Sequence, residues 1–221
     1  MGNKLLETQK ARLPKKIVIV IFDDFTDIDL FLMWDILGRN KTDWEVKILG
    51  KEKSHRSAHG LDISTHGSIS EANDADVVLF SSGKKGVKAV LDDKTFLEKF
   101  SLNPQRQIIG SICAGTFILA ALGLLKDGIA TTHPDAKKEL EALGIKTINS
   151  PLICIENVAT AGGCLAAIYL VGWFVERLFG ADKRRETIRD IIPTGQHDIY
   201  EELIASSIKQ GIRLPNDIHK I

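Results

Sequence analysis

The chain has 221 residues, 44% of them hydrophobic and 26% charged, and its 29 Lys and Arg balance its 29 Asp and Glu. That composition excludes a disordered, collagenous or disulfide-scaffold protein, and zero formal charge speaks against a strongly basic nucleic-acid binder. A domain of this length buries roughly 70% of its unfolded surface, so it can hold together without disulfides or metal.

Residues 1–16 are polar and lack the apolar stretch of a secretory signal. Met1-Gly2 is followed by Leu6 where a myristoylation signal needs Ser or Thr. Ile17 to Phe22 is a continuous β-branched apolar run, the mark of a central parallel strand. A helix is expected from Asp27 to Leu37, with Leu30, Phe31, Trp34 and Leu37 on its apolar face and Gly38 ending it. Trp44 to Leu49 reads as a second strand, and the polar stretch Lys51 to His66 as a small hairpin. A third strand, Asp76 to Phe80, leads into a loop Gly83-Lys84-Lys85-Gly86 and a helix reaching about Phe100. Gln107 to Ile112 is a further strand, followed by a helix Ala114 to Leu122 that Gly123 terminates. Pro134 opens another helix ending near Gly144.

Val158 to Val175 carries no charge and is long enough to raise the membrane question. Its glycines, 162, 163 and 172, favour a strand and then a buried helix from Gly163 to Phe179. The last forty residues are helical and then polar, with no second domain in view. Strands alternating with helices predict a single α/β domain whose mainly parallel sheet is covered on both faces. The expected division is an N-terminal extension over 1–15, the domain over 16–192 and a C-terminal tail over 193–221.

In such a sheet, ligands sit beyond the carboxyl ends of the strands. One strand end reads Gly110-Ser111-Ile112-Cys113-Ala114-Gly115-Thr116. Small neighbours let the backbone turn sharply from strand to helix, and a nucleophile elbow pushes its central side chain outward. A cysteine there, at a helix N-terminus, is a candidate nucleophile with a favoured thiolate. Cys154 and Cys164 fall in apolar strand and helix contexts that disfavour a thiolate. The first strand ends in Asp23, Asp24, Asp27 and Asp29, which in a first helical turn usually face water. Asp29, between Ile28 and Leu30, has less freedom to point outward, and a desolvated carboxyl near a thiolate can donate a proton. Gly83, just past the third strand, can bring its N–H to a developing oxyanion. His133 at a helix start suits either proton transfer or capping. His55, His59 and His66 share a polar hairpin without a nearby cysteine, so no metal site is expected there. Three cysteines without framework spacing point to reduced thiols and a cytoplasmic setting.

Taken together, these pieces resemble the DJ-1/PfpI superfamily of class I glutamine-amidotransferase-like folds. They are Ile28-Asp29-Leu30, Ser82-Gly83, the Cys113 elbow, Gly123-Leu124-Leu125, Ala130-Thr131-Thr132-His133, Thr160-Ala161-Gly162-Gly163 and Val175-Glu176-Arg177-Leu178-Phe179-Gly180. Within the superfamily the chain is most similar to the isonitrile hydratase-like branch, which shares its opening helix with amidotransferase-like domains of AraC-type regulators. Those regulators carry a further DNA-binding module, so no nucleic-acid partner is expected. Ala114 stands where PfpI-type proteases carry histidine and isonitrile hydratase carries threonine. Ala114-Gly115 and Thr131-Thr132-His133-Pro134 are instead similar to DJ-1 itself, and Ser81-Ser82-Gly83 replaces the usual Pro-Gly-Gly.

The resemblance implies a flavodoxin-like sandwich, a homodimer and a cofactor-free cysteine enzyme acting on a small electrophilic carbon. It assigns Cys113 as nucleophile, Asp29 as proton donor, and the N–H groups of Gly83 and Ala114 as oxyanion donors, with His133 a further candidate. The reaction is hydration of an isonitrile to an N-substituted formamide. The alternatives are a DJ-1-like glyoxalase or deglycase and a redox sensor whose cysteine becomes a sulfinate.

Overall fold

The computed structural model describes residues 13–125 and 128–218. The expected N-terminal extension over 1–15 therefore lies, up to residue 12, outside the described residues. In chain order the first elements are β1 (Lys15–Val20), α1 (Asp27–Gly38), β2 (Trp44–Gly50), β3 (Ser54–Arg56), β4 (Asp62–Ser64) and β5 (Gly67–Ser68). Then come β6 (Val77–Phe80), α2 (Lys84–Asp92), α3 (Lys94–Leu97), β7 (Ile108–Ile112) and α4 (Thr116–Ala121). They are followed by β8 (Ile129–Ala130), α5 (Lys137–Ala142), β9 (Lys146–Thr147), β10 (Leu152–Ile155) and β11 (Val158–Ala161). The chain closes with α6 (Ala167–Phe179), α7 (Ala181–Arg189) and α8 (His197–Ile218).

Seven strands form one sheet in the order β10-β11-β7-β6-β1-β2-β5. All its pairings are parallel except β10 with β11. The interior strands β1, β6 and β7 are buried along almost their whole length, as expected of strands covered on both faces. Two small two-stranded sheets lie beside it, β3 with β4 as the expected hairpin, and β8 with β9. This is the α/β, mainly parallel, flavodoxin-like architecture. Among the described residues no helix is long and apolar enough to cross a membrane.

Several elements differ from the sequence reading, among them the helix expected to reach about Phe100, which breaks at Asp93 into α2 and α3. The face α1 buries is Asp29, Leu30, Met33, Ile36 and Leu37, while Trp34 stacks on His66 with ring centroids 5.4 Å apart. This helix is apolar around most of its circumference, so hydrophobicity does not choose a face. The Gly83–Gly86 stretch is not a loop: α2 starts at Lys84 directly after Gly83. Gly86 is there for close approach, since a Cβ would lie 2.2 Å from the Asp23 carbonyl oxygen. Residues 193–221 hold α8, which packs against β10 and buries Ile204 and Ile208. Arg184, buried on α7, pairs with Glu176 of α6 and Glu201 of α8 and so joins the last three helices.

Candidate active site

β7 lies between β6 and β11, with Phe80 beside Ser111 and Ala161 beside Ile112. The residues that follow these three strand ends, Ser81-Ser82, Cys113 and Gly162-Gly163-Cys164, therefore emerge together at one end of the sheet. Cys113 is 2% exposed and sits at φ +52°, in the left-handed region that a non-glycine residue enters only under strain. Its carbonyl oxygen accepts from Thr132 Oγ1 at 2.9 Å and lies 3.0 Å from Thr116 Oγ1. Gly115 makes the turn possible, because a Cβ would fall 2.5 Å from the Ser81 carbonyl oxygen. The geometry is that of a nucleophile elbow.

Asp29, fully buried on α1, faces the elbow: Cys113 Sγ lies 3.7 Å from its Oδ1. Its Oδ2 has no hydrogen-bond partner among the described residues. Burial raises the Asp29 pKa, against opposing pulls from the side chains of Cys164, Cys113 and Ser82 and the charge of His133. Burial, then the neighbouring Asp29 and Cys164, push the Cys113 thiol up. The thiolate expected from a helix N-terminus is therefore not favoured in the resting site. Burial and the closeness of the two groups thus both work against a pair of anions here.

The other acidic residues are structural. Asp23 accepts from the Arg56 N–H and meets His55 Nδ1, both at 3.1 Å, and Asp27 meets Ser57 Oγ at 2.6 Å and His59 Nδ1 at 2.7 Å. They pin the β3–β4 hairpin over the start of α1. His66 Nδ1 accepts from the Ile48 N–H at 3.0 Å. Each hairpin histidine thus has its own partner.

His133 caps the turn that begins α5, its Nδ1 accepting from the Asp135 N–H at 3.2 Å, and its side chain is 40% exposed. Among the described residues no hydrogen bond joins it to Cys113. The expected donor pair is also altered. The Ala114 N–H is directed at Ser82 Oγ, 3.2 Å away, so a hydroxyl occupies one of the two N–H positions.

Sequence reasoning missed Cys164. It does not lie in an apolar helix: it opens a 3₁₀ turn after Gly163, is partly exposed, and its Sγ is 3.7 Å from Cys113 Sγ. The signal was a strand running into Gly162-Gly163-Cys164, at the same end of the sheet as the elbow. Asp29, Cys113 and Cys164 each offer one atom within 4.8 Å of the others, the one such group of possible metal ligands among the described residues. Ser82 and Thr132 were also unmarked as site residues, and both act through hydroxyls on the elbow backbone.

Residues 15–177 match the DJ-1/PfpI family. The chain is 27% identical over 169 residues to an isonitrile hydratase of Pseudomonas putida, covering 76% of this chain and 73% of that protein. It is 24% identical over 180 residues to the glutathione-independent glyoxalase DJ-1 of Schizosaccharomyces pombe, covering 76% and 93%. In fold it is similar to a ThiJ/PfpI family protein of Pseudomonas syringae, with a TM-score of 0.74 at 21% identity over 96% and 95% of the two chains.

Proposed function

This chain belongs to the DJ-1/PfpI family, and from that premise we propose that it is a cofactor-free cysteine enzyme that hydrates isonitriles. The observation that carries this reading is the Cys113 sulfur at a strained elbow, 3.7 Å from a fully buried carboxyl.

The chemistry turns on one proton moving between Cys113 and Asp29. Cys113 sulfur bonds to the isonitrile carbon as its proton passes to Asp29, so the attacking species is a thiolate without a second full negative charge in the pocket. Asp29 then delivers that proton to the same carbon, leaving a neutral thioimidate. Water adds to the C=N bond, the C–S bond breaks, and an N-substituted formamide leaves with Cys113 restored as a thiol. In this reading the Gly83 N–H and the Ser82 hydroxyl, which accepts from the Ala114 N–H, meet the developing negative charge. The substrate is a small electrophile, the assembly a homodimer, and the three free cysteines suit the reducing cytoplasm.

A second reading is a DJ-1-like glyoxalase, in which Cys113 adds to an aldehyde as a hemithioacetal and Asp29 or His133 moves the protons. Ala114 favours it, since no threonine follows the nucleophile. The test is turnover of an isonitrile panel and of methylglyoxal by wild type and Cys113→Ser. Formamide production that Cys113→Ser abolishes supports hydration. Lactate from methylglyoxal with no formamide moves the assignment to the second reading. Turnover of neither by the wild type overturns both in favour of a redox sensor.

A further inference from the structure

We infer that Cys113 and Cys164 form one redox site, closing an intramolecular disulfide when a hydroperoxide oxidises either thiol. The inference rests on the geometry of the two sulfurs and stands independently of which electrophile the enzyme consumes.

Two sulfurs 3.7 Å apart are in van der Waals contact, so a sulfenic acid formed on one has the other thiol as its immediate neighbour. The balance is simple. A thiol attacks the peroxide O–O bond, giving a sulfenic acid and an alcohol, or water if the oxidant is hydrogen peroxide. The second thiol then displaces hydroxide from that sulfur, the S–S bond forms, and water leaves. Asp29, beside both sulfurs, is placed to take the proton from the attacking thiol in each step. A dithiol reductant reverses the sequence.

A disulfide needs its sulfurs about 2.05 Å apart, so one partner must move by somewhat less than 2 Å. Cys113 is the fixed partner, its carbonyl held by Thr132 and Thr116. Cys164 is the movable one. It is partly exposed and follows Gly163, which has no heavy atom within 4 Å of where a Cβ would stand. Cys154, buried in β10, takes no part. The consequence is chemical. A cysteine without a resolving neighbour is carried on by peroxide to the sulfinate, which thiols do not reduce, whereas a resolved one stops at the reversible stage.

The experiment exposes the full chain to a small molar excess of hydrogen peroxide, blocks free thiols with iodoacetamide, and reads intact mass and peptides. The expected product, alkylated after unfolding, gains one carbamidomethyl group on Cys154 and loses two hydrogens, with the Cys113 and Cys164 peptides cross-linked and full return of both thiols with dithiothreitol. In Cys164→Ser that product is absent, and any oxidation of Cys113 runs to the sulfinate. A second readout is independent of oxidation: phenylarsine oxide, which bridges two adjacent thiols, binds the wild type one to one and is lost in Cys164→Ser. A wild-type product that gains two oxygens at Cys113 while Cys164 stays free overturns the inference, as does a disulfide that includes Cys154. Neither result bears on turnover, so the proposed activity and this site fail separately.

Discussion

Asp29 is the residue on which the chemistry and the stability of the fold pull in opposite directions. Burial raises its pKa above the usual 3.8, so the folded state disfavours its charged form. The sign follows by linkage. Stability from the neutral carboxyl is fully present below the ordinary carboxylate pKa and is lost as pH rises through the raised value. Asp29→Asn is neutral at every pH, so it is expected to melt higher than wild type at pH 7 and equally at pH 3, as read by calorimetry. Each kcal/mol relieved corresponds to about 2–4 °C in a domain of this size. The same variant loses the transferable proton, and general acid catalysis is worth roughly 10²–10⁴-fold. We therefore expect kcat to fall by at least about 10²-fold on the confirmed substrate while iodoacetamide still labels Cys113. A loss below about tenfold would remove the proton-transfer role.

The elements around the site are set by close approach more than by propensity. In an exposed helix, Gly→Ala stabilises by roughly 1 kcal/mol. In α2, Gly86→Ala is expected to do the opposite, because its Cβ would lie 2.2 Å from the Asp23 carbonyl oxygen on the strand-to-helix turn before α1. Overpacking of this kind costs about 1–3 kcal/mol, and urea melts should show a lower midpoint at unchanged slope. Thr132→Val tests the elbow itself. It leaves the Cys113 carbonyl one donor short, at about 1–3 kcal/mol if the oxygen stays dry. It should lower kcat more than it raises KM, since the elbow aims the sulfur without binding substrate.

These cases show what a sequence carries. The strands, the elbow and the order of helices were readable from apolar runs and small residues, because burial on both faces leaves a continuous pattern. Asp29 stood out from its three acidic neighbours by its apolar flanks and by the resemblance, but the helix around it is apolar over most of its circumference, so its hydrophobic pattern alone marked no face as inward. Cys164 was misplaced because the charge-free stretch from Val158 to Val175 hides the turn inside it. The Ser82 and Thr132 hydroxyls make bonds to backbone groups, and such partners leave no side-chain pattern to find.

At the scale of the whole molecule, β10 closes one edge of the sheet by running against its neighbours, and α8 packs over it. An uncovered edge strand invites pairing with other chains. Truncating Ile208 to alanine removes a buried contact of α8 and is expected to cost about 2–5 kcal/mol. Removing α8 after Thr194 should go further and produce concentration-dependent association, measurable by light scattering. A monodisperse truncated chain with an unchanged melting temperature would mean that α8 contributes nothing to the edge.

The distances along the chain between the site's members set a schedule for the newborn polypeptide. Cys113 meets Asp29 across 84 residues and Cys164 across 51. During synthesis the amino-terminal part emerges first, at about 5–20 residues per second. In the seconds before Cys164 is translated, Cys113 has its carboxyl neighbour already made and its second sulfur not yet present. Within that interval an oxidised Cys113 has no internal partner, and repair falls to the thiols of the surrounding cell. The finished protein carries its own.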